Sequence, residues 1–381
     1  MEAAIRYYFN KQYKYQTILD CLEKFHDIKI SKRTLLNKLK EYGLGRRRYN
    51  ANDDQVRECI QQELDGNGRL LGYRAMWRKL QSHHGIYVRR LTVQTILSEL
   101  DPEGSRLRKA HRLQRREYLN PGPNYSWHAD GYDKLKQFGF PIHGCIDGFS
   151  RRIMWLEIVR TNNNPHVVGK LFLDCIKEQR SCPTVLRTDK GTENGIMATA
   201  QCFLRRNHVD GQRGTNAHRY GSSHTNQRIE AWWAMLRRSW SSWWINFFKD
   251  LAATGVLDTS NEIHLECLWF CFVKVMKKDL KGIKESWNTH YIRKSRYYTA
   301  HGIPDQLFFL PESVGAENYQ KEYLQPDMDE VERYIATATE DESHQIYQEY
   351  FEYSSAVLGF QEPNTWRESL AMFQRLIGVA E

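Results

Sequence analysis

The sequence lacks several features that would assign it to common protein classes. Its 8 cysteines include no Cys-x-x-Cys pair, which is the usual signature of a structural zinc site. No run of about 18 apolar residues occurs, so we expect no membrane span. The first residues lack the apolar segment of a secretory signal, and we expect an intracellular chain with reduced cysteines. His264, Cys267 and Cys271 share one predicted helix face, and we interpret them as buried residues rather than metal ligands.

Charge is unevenly distributed along the chain. Lys and Arg outnumber Asp and Glu by 25 to 14 in residues 1–125 and by 26 to 17 in residues 126–310, whereas residues 311–381 carry 4 against 15. A basic N-terminal region followed by an acidic C-terminal region is typical of a chain that binds a polyanion. The acidic region would then shield the basic surface or contact another protein. Ordinary surface charge is the alternative interpretation.

The first 125 residues show helical periodicity together with basic side chains. Ser31 is a predicted N-cap, and the helix after it is predicted to point Leu35, Leu36 and Leu39 inward. A second helix pair spans residues 71–100 and resembles the helix-turn-helix of many insertion-sequence transposases. Two such units favour DNA binding, and helical hairpins without a ligand are the alternative. The candidate DNA-binding residues here are Lys32, Arg33, Lys38, Arg46, Arg47, Arg48, Arg89 and Arg90.

The chain changes character at a Pro-Gly-Pro break, residues 121–123. The basic segment before the break either lies along phosphates or is a solvated linker. After the break, the pattern predicts strands at 126–132, 140–147, 152–160 and 184–189, and helices at 166–178, 193–206 and about 225–249. We therefore predict helix-turn-helix regions at 1–50 and 51–123, an α/β domain at 124–300 and an acidic region at 301–381.

Three acidic residues occupy positions that suit metal-dependent chemistry. Asp130 lies within the first predicted strand, Asp189 ends the fourth, and Glu230 lies on a later helix. Phosphodiester transfer uses two metal ions about 3.5–4 Å apart, and Mg²⁺ prefers oxygen ligands. Asp130 would bridge both ions, Asp189 would complete one site and Glu230 the other, with DNA phosphate supplying further ligands.

Four motifs occur in an order and spacing that resemble the retroviral-type integrase catalytic core. Closer still, residues 70–312 resemble eukaryotic integrase-core proteins of mobile-element origin. The spacing between Asp189 and Glu230 is longer than in retroviral enzymes, and we expect the extra length in the loop of residues 207–223. The motifs are Trp127-His-Ala-Asp130, Ile146-Asp-Gly-Phe-Ser-Arg-Arg152, Arg187-Thr-Asp189-Lys-Gly-Thr-Glu-Asn194 and Ser223-His-Thr-Asn-Gln-Arg-Ile-Glu230.

The resemblance implies an α/β, ribonuclease-H-like fold with a mixed five-stranded sheet flanked by helices, preceded by an all-α helix-turn-helix region. It implies a DNA integrase or transposase that uses two Mg²⁺ or Mn²⁺ ions and no small-molecule cofactor. We expect double-stranded DNA as partner, a homo-oligomer, no membrane and a nuclear location. Lys190, Asn226 and Gln227 are candidate DNA contacts near the cut end. A domesticated, non-catalytic DNA-binding protein is the alternative, and a structure-directed RNase is weaker.

Other residues of this region receive structural interpretations. Asp133 has the opposite strand parity to Asp130 and should point to the other face. Asp147 lies in a hairpin turn, where Asp commonly caps its own backbone. Glu266 is expected at the surface. The tryptophans near residue 240 are expected to pack in the core or in a dimer, with base stacking as the alternative, and they are Trp232, Trp233, Trp240, Trp243 and Trp244.

Overall fold

The structure is a computed structural model, and it describes residues 1–45, 50–107, 120–221, 226–294, 300–336 and 342–380. The chain divides into two compact units. Unit 1 contains Met1–Pro121 and Glu285–Glu317, and unit 2 contains Gly122–Lys284 and Asn318–Glu381. No helix in these described ranges is both long and apolar enough to span a membrane.

Unit 1 is helical in its N-terminal part, as predicted. Ser31 caps the third helix, because its Oγ accepts a hydrogen bond from the backbone N–H of Thr34 at 3.1 Å. Leu35 and Leu39 are buried as predicted, but Leu36 is exposed because it lies at the side of the face that these two leucines share. The helices are α1 (Glu2–Asn10), α2 (Tyr15–His26), α3 (Lys32–Glu41), α4 (Asp53–Leu64), α5 (Tyr73–His83), α6 (Arg90–Leu100) and α7 (Pro102–Leu107).

Two apolar clusters hold these helices together. The first is built by residues of α1 to α3, such as Ile5, Leu22 and Leu35, and also contains Leu310 from the second segment of unit 1. The second is built by α4 to α6, with Met76 among its central residues. The two predicted helix pairs therefore have separate cores, and their DNA-binding role stays a prediction.

Unit 2 contains a mixed five-stranded sheet in the order β3-β2-β1-β4-β5. The strands are β1 (Ser126–Tyr132), β2 (Ile142–Asp147), β3 (Ile153–Ile158), β4 (Val185–Thr188) and β5 (His218–Tyr220). The first three are antiparallel neighbours, and β1, β4 and β5 run parallel to one another. This is the ribonuclease-H-like sheet that the resemblance implied. The fifth strand lies in the loop where we expected extra length.

Helices follow β3 as far as the end of the described chain, and the one at residues 304–309 belongs to unit 1. They are α8 (Pro165–Gln179), α9 (Gly195–Leu204), α10 (Gln227–Leu236), α11 (Ser242–Ala253), α12 (Glu262–Thr289), α13 (Pro304–Phe309), α14 (Gln325–Ala336), α15 (Glu342–Val357) and α16 (Trp366–Ala380). The long helix predicted over 225–249 is present, since helical residues run without a break from Gln227 to Ala253, but a π-helical turn, Arg237–Ser241, interrupts its α-helical geometry between α10 and α11. That turn buries Ser241, whose hydroxyl pairs with that of Tyr132 at 2.6 Å.

The acidic C-terminal helices are a packed part of unit 2. Asp327 of α14 forms an ion pair with Arg206 at 2.9 Å, and Phe373 of α16 is fully buried with its ring 6.4 Å from that of Phe272. His344 of α15 and Arg160 both contact the carboxylate of Glu266, at 2.7 and 2.8 Å. Glu266 is buried, so the prediction that it lies at the surface is wrong.

We expect the packing of α16 to contribute strongly to the stability of unit 2. Phe373→Ala should lower the free energy of unfolding by about 3–5 kcal/mol, because a large buried ring is lost and a cavity remains. Urea unfolding followed by circular dichroism measures this change. The control is Tyr353→Ala, since Tyr353 is 73% exposed and its loss should change stability by less than about 0.5 kcal/mol. Equal effects of the two variants would contradict the packing described.

Candidate active site

Asp130 lies on β1, the central strand of the sheet, and is half-buried. Its Oδ2 accepts a hydrogen bond from the indole Nε1 of Trp233 at 3.0 Å. Burial raises the pKa of Asp130 to about 7, and the negative charges of Glu230 and Asp189 contribute to this increase. The carboxylates of all three residues therefore lie close enough to interact electrostatically.

Asp189 directly follows β4, which runs parallel to β1. Its carboxylate is oriented by two donors on its Oδ1, the backbone N–H of Gly191 at 3.1 Å and the Nδ2 of Asn194 at 2.7 Å. Because parallel strands end at the same edge of a sheet, Asp189 reaches the region of Asp130. The tight turn after β4 fixes the direction in which this carboxylate points.

Glu230 lies in the first turn of α10 and is exposed. The start of this helix is joined to β1 by Asn226, whose Nδ2 donates to the carbonyl of Ala129 at 3.0 Å. The buried ring of His128 donates from Nδ1 to the Oδ1 of Asn226 at 2.8 Å. Burial lowers the pKa of His128 to about 3, so the ring is neutral at pH 7. These bonds position Glu230 beside Asp130.

Asn226 has a structural position that was not expected of a DNA contact, and its contact with DNA stays a prediction. Its side chain is buried, and both its carbonyl and its amide group bond to β1. A buried amide with these partners is poorly available to a ligand at the surface. Asn226 is therefore a residue that connects strand and helix.

The indole ring of Trp233 can reach Asp130 only if β2 leaves room for it. In the β1–β2 ladder Gly144 is the direct partner of Asp130. A Cβ at Gly144 would lie only 2.8 Å from Cη2 of the Trp233 ring. The absence of a side chain at Gly144 therefore allows the indole to lie against the strand with its N–H directed at the carboxylate.

The donor chemistry of the three carboxylates fits hard divalent cations such as Mg²⁺ or Mn²⁺. In the described part of the chain, no group of three or more His, Cys, Asp or Glu side chains could hold a single metal ion. The predicted arrangement requires only two protein carboxylates for each ion, with Asp130 shared. The raised pKa of Asp130 is consistent with this fit, because a cation would relieve the repulsion from its two neighbours.

The neighbouring acids have the structural roles that we predicted. Asp147 is buried and accepts hydrogen bonds from the backbone N–H groups of Asn124, Phe149 and Ser150 and from the Ser150 hydroxyl. Asp133 accepts from Asn162 at 2.6 Å. The tryptophans pack in the core as predicted: Trp232, Trp233, Trp240 and Trp244 are buried, and Trp243 contacts Trp366 of α16 at 5.5 Å.

The candidate DNA-binding residues have varied surroundings. Lys32 and Arg33 are exposed near the start of α3, while Lys38 of the same helix pairs with Glu41 at 2.8 Å. Arg90 is exposed and lies over the ring of Trp77 at 4.5 Å. Arg89, the N-cap of α6, and Lys190 are exposed, and Gln227 is half-buried. The last three candidates, Arg46, Arg47 and Arg48, lie outside the described residues.

Sequence reasoning missed two residues that orient the carboxylates. Trp233 follows Glu230 by three positions, so both lie on one side of α10, and this spacing was the available signal. Asn194 ends the motif that begins at Arg187, but the sequence did not indicate that its amide turns back to Asp189. Trp233 donates a hydrogen bond to Asp130, which lies 103 positions earlier in the chain. Asn194 donates a hydrogen bond to Asp189, which lies 5 positions earlier.

Comparison with known proteins agrees with this geometry. A family model described as an integrase core domain matches residues 118–314, which is more than half of the chain and includes all three carboxylates. No curated protein matches the sequence. The matched span also includes the whole five-stranded sheet and α10. The chain therefore belongs to the integrase core domain family.

Proposed function

We propose that this protein is a metal-dependent polynucleotidyl transferase that cleaves a DNA 3′ end and joins it to target DNA. The observation that carries the proposal is the strand register of β1 and β4, which brings Asp189 to the level of Asp130, while Asn226 ties the start of the Glu230 helix to Ala129 of β1. We infer that these three acids, distant in the chain, meet where a phosphate can approach. Two bound Mg²⁺ or Mn²⁺ ions would activate the attacking oxygen and stabilise the leaving oxygen.

The chain's own residues orient the carboxylates before substrate binds. Trp233 holds Asp130, and Asn194 with the Gly191 amide holds Asp189. Glu230 is the most exposed of the three acids. We infer that Glu230 adjusts its position when DNA and metal bind, while the two aspartates stay fixed.

The same proposal covers the partners. We propose double-stranded DNA as substrate, contacted by the basic helices of unit 1, assembly as a homo-oligomer, and a nuclear location. The second candidate function is DNA binding without catalysis, in a domesticated protein. The exposure of Glu230 is the observation that favours that alternative, because the other two acids are half-buried.

The first test removes the central carboxylate. Asp130→Asn should abolish strand transfer in Mg²⁺ or Mn²⁺ while DNA binding persists, because an amide cannot bridge two cations. A gel assay that joins candidate element ends to plasmid DNA measures the activity. Asp133→Asn is the matched control, since Asp133 has the same chemistry but bonds to Asn162. Joining that is equal in wild type and Asp130→Asn would refute the catalytic assignment.

A second test concerns the hydrogen bond to Asp130. Trp233→Phe keeps an aromatic ring beside Gly144 but removes the indole N–H. A hydrogen bond to a charged group contributes about 1.5–3 kcal/mol, so the joining rate should fall roughly 10- to 100-fold with little change in DNA affinity. Trp244→Phe is the control, because its buried Nε1 has no hydrogen-bond partner among the described residues. Similar rates for the two variants would show that Trp233 only fills space.

A third test concerns the first helix pair. Lys32→Gln combined with Arg33→Gln should reduce the slope of log affinity against log salt by about 1.8, since each lost phosphate contact removes about 0.9. Fluorescence anisotropy with duplex DNA measures the slope. Lys249→Gln with Arg375→Gln removes the same charge from exposed positions of unit 2 and is the control. An unchanged slope in the α3 variant would contradict its predicted role.

A further inference from the structure

Two arginines lie side by side on the parallel strands next to Asp189. Arg187 of β4 and Arg219 of β5 are direct partners in the strand register. Arg187 is also the register partner of His128 on β1. Side chains of register partners point to the same face of a sheet, and alternate residues along a strand share a face. Both arginines therefore lie on the face that carries Asp130.

The position of Arg187 along β4 brings it near the proposed reaction centre. Arg187 precedes Asp189 by two residues, which along a strand corresponds to about 6.6 Å. Arg219 lies on the outermost strand, one strand further from Asp130. The two guanidinium groups and the carboxylate of Asp189 thus follow a path from the active site to the edge of the sheet.

Within the part of the chain that the structure describes, neither arginine forms an ion pair with a carboxylate. The Arg187 side chain is half-buried and forms neither a hydrogen bond nor an ion pair with a described residue. Arg219 is exposed, and its Nη2 donates to the neutral side chain of Gln212 at 2.7 Å. A half-buried guanidinium that makes no hydrogen bond within the described protein keeps its N–H donors available to an anionic ligand.

The groups around Arg187 carry both signs of charge. His128, its register partner on β1, is buried. Arg228 of α10 is anchored by its Nε to the carbonyl of Gly148 at 2.9 Å, and Asp189 is the acid directly after β4. A planar guanidinium binds phosphate oxygens with two parallel hydrogen bonds, so the two arginines suit a DNA backbone that continues beyond the carboxylates.

We propose that Arg187 and Arg219 bind successive phosphates of the DNA strand that leaves the active site over β4 and β5. This inference rests on the proposed function for the identity of the substrate. The proposal gives the path of that DNA strand, which runs from the three carboxylates across β4 and then β5. The two arginines position the strand and carry no base specificity.

The test measures DNA binding in the absence of divalent metal, so that it does not depend on catalysis. The probe is a short duplex with one recessed 3′ end, and the full chain is used. Arg187→Gln with Arg219→Gln should reduce the salt slope of binding by about 1.8. Arg375→Gln, at an exposed position of α16, is the control and should leave the slope unchanged. Arg187→Lys should retain most of the slope, because the charge is kept.

A second measurement locates the contact on the DNA. A neutral methylphosphonate at the phosphates nearest the 3′ end should weaken binding to wild type but not to the double variant. Thermal unfolding of each variant separates loss of contact from loss of fold. If wild type joins DNA but the double variant keeps the full slope and the methylphosphonate effect, the arginine assignment is wrong and the proposed function stands. If Asp130→Asn joins DNA as wild type does, the proposed function fails by its own test.

Discussion

Repulsion among three carboxylates is the interaction on which the proposed active site depends. Asp130 is half-buried on the central strand, and the charges of Glu230 and Asp189 add to burial in raising its pKa to about 7. The ionised form of Asp130 is unfavourable in the isolated protein, because burial and its two acidic neighbours both disfavour it. Bound divalent cations would offset this repulsion and lower the free energy of the ionised carboxylates. The protein therefore maintains an unfavourable negative charge that divalent cations would stabilise, which is expected of a functional site rather than of a core.

A small number of hydrogen bonds between α10 and β1 hold the carboxylates in position. Asn226 joins the start of α10 to β1 through Ala129 and His128, and Trp233 of the same helix bonds to Asp130. Gly144 makes room for the indole. One short helix thus presents Glu230 and also orients its neighbour. The C-terminal helices stabilise the same unit from further away, so the acidic region is integral to the domain in spite of its charge.

Much of this could be predicted from the sequence, because strand alternation, helix periodicity and motif order are local signals. The strands β1 to β4 and the positions of the acids were predicted in this way. β5 was not located, since His218–Tyr220 is too short to show alternation. The burial of Asn226 and Glu266 was missed because their partners lie far away in sequence. The role of Trp233 was missed for the same reason, because its hydrogen bond joins residues 103 positions apart.

The most direct measurement is the position of metal ions in a crystal of the protein with bound DNA and Mn²⁺. Anomalous diffraction identifies manganese independently of the protein atoms. The account predicts two peaks about 3.5–4 Å apart, with Asp130 bridging them and Asp189 and Glu230 each bound to one. Well-ordered DNA at this edge of the sheet without a manganese peak between the three carboxylates would contradict it.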